Sequence, residues 1–248
     1  MKKALVIVPT YNEIENLPLV VEKVMALQMA GVQIELLIVD DNSPDGTGKL
    51  ADEYSKRFDR VHVFHREMKE GLGRAYIAGF KWALARDYNY ILEMDADLSH
   101  DPADVPRLIA ACEEADCALG SRYIGGIRVI NWPLSRLMLS KGAALYVQIV
   151  TGMPFADPTS GFKCFCRRAL EALELDEIQS NGYSFQIEVL HRLWRRGFKI
   201  VEVPIVFTER REGRSKMSGH IIWEAFFMVW RLLLQNRLRR VPRPRIQS

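Results

Sequence analysis

Glu93, Asp95 and Asp97 alternate through YILEMDADLSHDP, the segment from Tyr90 to Pro102, at the end of an apolar run that reads as a buried strand. One residue separates Asp95 from Asp97, so in an extended chain both carboxylates face the same side. Two like charges held that close push one pKa up unless a cation lies between them. A hard divalent ion such as Mg²⁺ or Mn²⁺ prefers carboxylate oxygen and shares its shell with substrate phosphates. The pair is therefore a candidate metal site bridging to a diphosphate. The competing reading is helix capping by Asp97 or Ser99 ahead of DPADVPRLIAACEEA. Asp101 and Pro102 read as that helix's cap and first turn.

Two further polar clusters follow apolar runs in the same way: PTYNE from Pro9 to Glu13, and DDNSPDGT from Asp40 to Thr47. Within the second, Asp45 and Thr47 read as turn and N-cap residues. The letters DGT also occur in phosphatases of the haloacid dehalogenase type, whose nucleophile and acid lie two apart directly after the strand. Here Asp41 and Asp45 are four apart across a proline turn, which disfavours that chemistry. Gly71-Leu72-Gly73 lacks the third glycine of a dinucleotide fingerprint, and the chain has no Walker lysine motif.

The elements that must position these groups alternate. ALVIVPT, IELLIVDD, RVHVFHR and YILEMDAD read as strands; IENLPLVVEKVMAL, DGTGKLADEYSKRF and AYIAGFKWALAR have helical apolar spacing. Continuous apolar strands separated by helices predict an α/β, Rossmann-like, mostly parallel sheet covered on both faces. Such sheets bind ligands beyond the carboxyl ends of their strands, where all three polar clusters fall. At 248 residues, 48% hydrophobic and 26% charged, the chain suits one large domain. The net charge of +3 is unevenly spread: residues 231 to 248 hold six arginines and no acidic residue, leaving 28 basic against 31 acidic residues before them. Cys112, Cys117, Cys164 and Cys166 form no CxxC pair and read as reduced thiols, the last two as packing residues on a strand. His62 and His65 read as structural, and His100 stands open between structure and support of the acidic pair. MKKALVIVPT breaks at Pro9, too soon for an export signal.

Nine segments together resemble glycosyltransferase family 2, of GT-A fold, and within it the dolichol-phosphate (polyprenol-phosphate) mannose synthases. They are VPTYNEIENLP, IVDDNSPDGT, GLGRAYIAGF, MDADLSHDP, GSRY, DPTSGFKCF, GYSFQIEVL, VEVPIVFTER and GRSKM, covering about residues 5 to 220. The resemblance implies a metal-dependent, inverting enzyme that moves mannose from GDP-mannose to a polyprenyl (dolichyl) monophosphate. It implies that Pro9, Tyr11, Glu13, Val39 and Asp41 bind guanosine, and that Asp95 and Asp97 hold Mg²⁺ or Mn²⁺ and the diphosphate, with Ala96 small enough for the nucleotide to approach. Arg122 matches a phosphate-facing arginine, Arg136 and Ser140 match residues that hold the acceptor phosphate, and Arg210 and Lys216 match a loop that closes on the donor. Gln186 and Glu188 stand as helix core or as lining of the acceptor side. The same machinery with another donor such as UDP-glucose, or a non-catalytic sugar-nucleotide binding protein, are the alternatives.

The resemblance also implies a catalytic domain over residues 1–218, followed by a segment of different character at 219–248. Its apolar run, Ile221 to Leu234, is 14 residues long and interrupted by Glu224 and Arg231, short of the roughly 20 needed to span a bilayer. With Trp223, Phe226, Phe227 and Trp230 ahead of the arginines, it reads as an interfacial amphipathic helix beside anionic headgroups, or as a helix docked on the body or on a membrane subunit. No nucleic-acid recognition module accompanies the basic tail. The expected location is cytoplasmic, peripheral to the cytosolic face of a membrane.

Overall fold

The four apolar runs form β1 (Lys2–Thr10), β2 (Val32–Asp40), β3 (Val61–His65) and β4 (Tyr90–Glu93) in a computed structural model that describes residues 1–208 and 229–230. α1 (Leu17–Met25), α2 (Thr47–Arg57) and α3 (Leu72–Leu84) connect them, so β1 lies between β2 and β4 and all four run parallel. After α4 (Val105–Ala111) come β5 (Cys117–Ser121), β6 (Val129–Ile130), α5 (Leu134–Thr151), β7 (Lys163–Cys166), α6 (Arg167–Glu171), α7 (Gly182–Arg195), β8 (Ile200–Pro204) and β9 (Phe207–Thr208). The main sheet has the order β3-β2-β1-β4-β7-β5-β8, and β6 pairs with β9 beside it. β7 runs antiparallel to both neighbours. This one reversal is invisible in strand composition, because it is set by how the chain returns after α5.

Alternation along the strands makes two cores. Ala4, Val6 and Val8 of β1 pack with α1, α2 and α4 on one face, while Leu5 and Ile7 pack with α3, α6 and α7 on the other. Burial on both faces explains why β1 and β2 read as unbroken apolar runs. Cys164 and Cys166 belong to the first core and all four cysteines are free thiols. Tyr76 and Phe80 of α3 stack on Phe185 of α7 at 5.9 and 6.4 Å between centroids.

Gly79 lets α3 sit this close to the sheet: a Cβ there would stand 2.6 Å from Ile7 Cγ2. Gly79→Ala gains about 1 kcal/mol of helix propensity, but forcing a methyl into a filled core costs about 1–3 kcal/mol. The expected outcome is a net loss of about 1 kcal/mol, read as a lower urea midpoint at unchanged slope.

His191 of α7 gives the fold an acid-sensitive point. Burial, then the charges of Arg195 and Arg192, lower its pKa from 6.5 to about 4. The unfolded chain therefore binds more protons between these values, so this contribution is complete above pH 6.5 and is lost as the pH falls toward 4. His191→Gln is expected to flatten stability against pH in that window, measured by urea unfolding at stepped pH.

The proposed boundary near residue 218 and nearly all of the 219–248 segment lie outside the described residues. Val229 and Trp230 are helical, and Val229 is buried among Leu119, Val147, Met153, Phe155, Ile187 and Leu190.

Candidate active site

The carboxyl end of the sheet has a charged floor. Glu93 on β4 and Lys163 on β7 are register partners, both fully buried, with Lys163 Nζ donating to Glu93 Oε2 at 3.2 Å. Burial drives the Glu93 carboxyl up to about 7; Lys163 opposes this, and the nearby Asp95 charge adds to it. Lys163 also donates to the Ser160 carbonyl at 2.6 Å and to Gln186 Oε1 on α7. Glu93 can thus end its strand in the core because it is paired across the ladder.

The acidic pair does not continue the strand. β4 ends at Glu93, and Ala96 and Asp97 form a turn followed by Leu98 at φ 58°, so the extended-chain premise gives way to a tight turn. Asp97 Oδ1 accepts the Ser99 N–H at 3.0 Å, and Asp95 Oδ1 accepts the Tyr76 hydroxyl at 3.3 Å. The Asp95 N–H donates to His100 Nδ1 at 3.3 Å. His100 is buried, stacked on Phe162 at 4.8 Å and edge-on to Phe207 at 5.4 Å. Burial lowers its pKa to about 4, against the pull of Asp97. A neutral imidazole therefore braces the turn. The local field is acidic: Tyr76 is raised by burial first, then by the charges of Asp95 and Glu93. Two hard carboxylates on this turn, Asp97 buried and Asp95 partly exposed, within an acidic field fit a Mg²⁺ or Mn²⁺ ion that completes its shell with phosphate and water.

On the β1–β2 side, Asp40 and Asp41 diverge. Asp40 accepts the Thr10 hydroxyl at 3.0 Å and the Ser43 N–H and hydroxyl at 3.0 and 2.6 Å, closing the loop through Asn42 at φ 56°. Asp41 is buried against Arg66, which also reaches Glu70. Burial raises the Asp41 carboxyl, opposed by Arg66. Lys69 Nζ lies 3.8 Å over the Tyr11 ring and also acts on Asp41. Pro9 pairs in register with Val39, and the Glu13 N–H donates to Thr47 Oγ1 at 3.0 Å. Asp45 accepts the Thr47 N–H at 2.9 Å as a turn residue, but the helix N-cap is Gly46 rather than Asp45 or Thr47, because the left-handed turn at Gly46 brings the chain into the helix at Thr47. Pro9, Tyr11, Glu13 and Asp41 therefore share one rim, whereas Val39 is fully buried in the core beneath it; Arg66 and Lys69, which join the rim from the loop after β3, carried no local sequence signal.

On the other side, Arg122 follows β5 and is 5% exposed. Its Nε and Nη2 grip Asp157 at 2.7 and 2.6 Å, and Nη2 also reaches Thr159 at 2.9 Å. Burial works against the guanidinium charge and Asp157 more than offsets it, so its pKa is raised. The rings of Tyr123, Trp132 and Phe207 lie 5.2 to 5.6 Å from Arg122 Cζ. Arg136 sits 4.3 Å over Trp132, and Ser140 accepts the Tyr123 hydroxyl at 2.7 Å. Arg122, Arg136 and Ser140 thus meet around one aromatic cluster, whose Trp132 indole N–H has no partner among the described residues. Asp157 and the three rings were missed as site residues, although three of the four lie inside the quoted motifs: Asp157 begins DPTSGFKCF, Tyr123 ends GSRY and Phe207 falls within VEVPIVFTER. Arg210 and Lys216 lie outside the described residues.

Residues 5–174 match the family model described as "Glycosyl transferase family 2". The chain is 50% identical over 241 residues to a polyprenol monophosphomannose synthase of Mycolicibacterium smegmatis, covering 96% of this chain and 90% of the relative. It is 48% identical to an undecaprenyl-phosphate mannosyltransferase of Micrococcus luteus, covering 95% and 96%. A dolichol-phosphate mannosyltransferase of Pyrococcus furiosus is 39% identical over 93% of this chain and 64% of its own length. The fold matches that of glucosyl-3-phosphoglycerate synthase from Mycobacterium tuberculosis, solved with Mn²⁺, UDP-glucose and phosphoglyceric acid, at a TM-score of 0.68 and 18% identity, over 94% of this chain and 80% of that one.

Proposed function

The chain belongs to glycosyltransferase family 2, and on that premise we propose that it transfers mannose from GDP-mannose to a polyprenyl monophosphate, with inversion, releasing GDP. The observation that carries this reading is the position of the Asp95–Asp97 turn between the Tyr11–Asp41 rim and the Arg122–Arg136–Ser140 cluster at one sheet edge. The similarity to two bacterial lipid-phosphate mannosyltransferases along nearly the whole chain supports the substrate assignment.

A lipid monophosphate has its second pKa near 6, so at neutral pH it is largely a dianion and already nucleophilic. No general base is needed. Arg122, Arg136 and Ser140 orient that phosphate, whose oxygen attacks the anomeric carbon as the bond from that carbon to the diphosphate oxygen breaks and GDP leaves with the electron pair. Asp95 and Asp97 would hold a Mg²⁺ or Mn²⁺ ion, which supplies charge neutralisation at the diphosphate. Arg210 and Lys216 take the same side of the charge balance in this reading.

The acceptor lies in a membrane, and no helix among the described residues is long and apolar enough to cross one. Helix α5 supports a peripheral placement. Leu134, Met138, Leu145 and Ile149 follow one helical stripe and are 56 to 73% exposed. Arg136 and Ser140 lie on the opposite face of the same helix, so α5 would turn its apolar stripe to a bilayer surface while its other face carries the phosphate-binding residues.

The test is transfer from GDP-mannose to a short polyprenyl phosphate in detergent, with UDP-glucose as competing donor, with and without EDTA. The expected product is a β-linked mannosyl lipid formed only with metal. An α-linked product overturns the single displacement; glucose transfer overturns the donor; no turnover by folded protein favours a non-catalytic sugar-nucleotide binder.

A further inference from the structure

Asp40 and Asp41 use their oxygens differently. Both oxygens of Asp40 accept from the protein, Oδ1 from the Thr10 and Ser43 hydroxyls and Oδ2 from the Ser43 N–H. Asp41 accepts through Oδ1, from Arg66 Nη1 at 2.5 Å, and its Oδ2 has no hydrogen-bond partner among the described residues. That oxygen is not sealed in: although Asp41 is only 5% exposed, Oδ2 keeps an opening to solvent. An acceptor left over at an open rim is available to a ligand.

Arg66 is fixed where it can act on this carboxylate. Its own N–H donates to the Asp40 carbonyl at 2.8 Å where the chain leaves β3, and its side chain is buried. Its other amine reaches Glu70, whose exposed carboxylate is screened by water. The guanidinium therefore acts chiefly on Asp41. The Asp41 N–H donates to the Thr10 carbonyl at 3.0 Å, which sets the carboxylate beside the half-buried ring of Tyr11.

We infer that Arg66 is a positioning residue for the nucleotide's base: it keeps Asp41 charged and turned so that the carboxylate accepts from the adjacent N–H groups of guanine, with the base against Tyr11. The inference rests on the donor reading proposed above. Guanine offers two neighbouring donors, and a carboxylate has acceptor sites for both even while Oδ1 receives Arg66. Uracil offers one, flanked by carbonyl oxygens that a carboxylate repels. Burial raises the Asp41 carboxyl and the Asp40 charge adds to this, while Arg66 and Lys69 oppose it. Without Arg66 the carboxyl rises further toward neutral pH, and once protonated it turns a donor toward donors.

The test is calorimetric titration of the full chain with GDP and with inosine diphosphate, which lacks the 2-amino group, each with Mn²⁺ from about pH 6 to about pH 8. The wild type is expected to favour GDP by about tenfold. Arg66→Met should bind GDP about tenfold more weakly than wild type at the acid end, with the ratio of the two affinities recovering as the pH rises; the ratio cancels the titration of GDP itself. Arg66→Lys keeps a cation beside Asp41 and should hold the ratio constant. Equal wild-type affinity for the two nucleotides overturns the base contact, and that arm needs no variant to fold. A GDP affinity in Arg66→Met equal to wild type, or weakened by the same factor at every pH as a merely structural role would give, overturns the positioning role. A wild type that prefers UDP to both nucleotides overturns the donor reading and this inference with it.

Discussion

Asp97→Ala is expected to lower mannosyl transfer by about 10³-fold while leaving thermal unfolding within a few degrees of the wild type. The asymmetry follows from what the side chain does in the fold. It accepts the Ser99 N–H two residues on, a local bond worth about 1 kcal/mol. Against that loss, removing its charge relieves crowding in a field acidic enough to raise Tyr76. Its larger task is to oppose the charge of a bound diphosphate through a cation, which alanine cannot do. Asp97→Asn separates shape from charge: the amide oxygen can still accept the Ser99 N–H, yet transfer should fall nearly as far. Transfer rates across a Mn²⁺ titration, with scanning fluorimetry on the same samples, check both parts. Activity within tenfold of wild type at saturating Mn²⁺ would remove Asp97 from the metal-holding role.

Asp157→Ala should bring the largest loss of stability, about 3–5 kcal/mol. Asp157 is fully buried and receives the Arg122 guanidinium on two oxygens as well as the Arg122 N–H. Truncation strands a buried cation among Tyr123, Trp132 and Phe207 with Thr159 as its remaining recorded acceptor. Burial raises the Asp157 carboxyl, and Arg122 more than reverses this, leaving its pKa below the ordinary value of 3.8. Its contribution is therefore present above that pH and lost as the pH falls through the folded value. Urea unfolding at neutral pH measures the effect. The double variant Arg122→Met with Asp157→Leu should recover most of the stability but none of the transfer, because the desolvation cost disappears with the charge. A single Asp157→Ala variant as stable as wild type would sink the argument.

The half of the site that depends on local sequence was readable. Pro9 to Glu13, Asp40 to Thr47 and Asp95 to Asp97 each follow an apolar run, and a parallel sheet brings the ends of such runs to one edge whatever the details of packing. Asp101 and Pro102 begin their short helix as read, with Asp101 accepting the Ala103 N–H at 3.1 Å. His62 and His65 have structural carboxylate partners in Glu35 and Asp52. What escaped was set by pairing between distant segments. Glu93 is tolerable because of Lys163, Arg122 because of Asp157, and Asp41 because of Arg66; none of these partners lies near enough in sequence for spacing to announce it. The reversal of β7 escaped for the same reason. The stripe on α5 escaped for another: exposed Leu134, Met138, Leu145 and Ile149 have the composition of a core helix, and only the fold shows that nothing among the described residues covers them.

The late arrival of β7 also matters while the chain is being made. Once residues through Glu93 have left the ribosome, β3, β2, β1 and β4 can pair, but the outer edge of β4 has no neighbour until synthesis reaches Lys163. An open, apolar edge in a nascent chain invites pairing with other chains. Glu93 sits on that edge as a charge, the kind of residue that blunts unwanted strand addition. The strand that finally closes the edge brings Lys163 into register with it, so the same carboxylate that guards the unfinished sheet becomes, in the finished one, half of a buried ion pair beneath the Asp95–Asp97 turn.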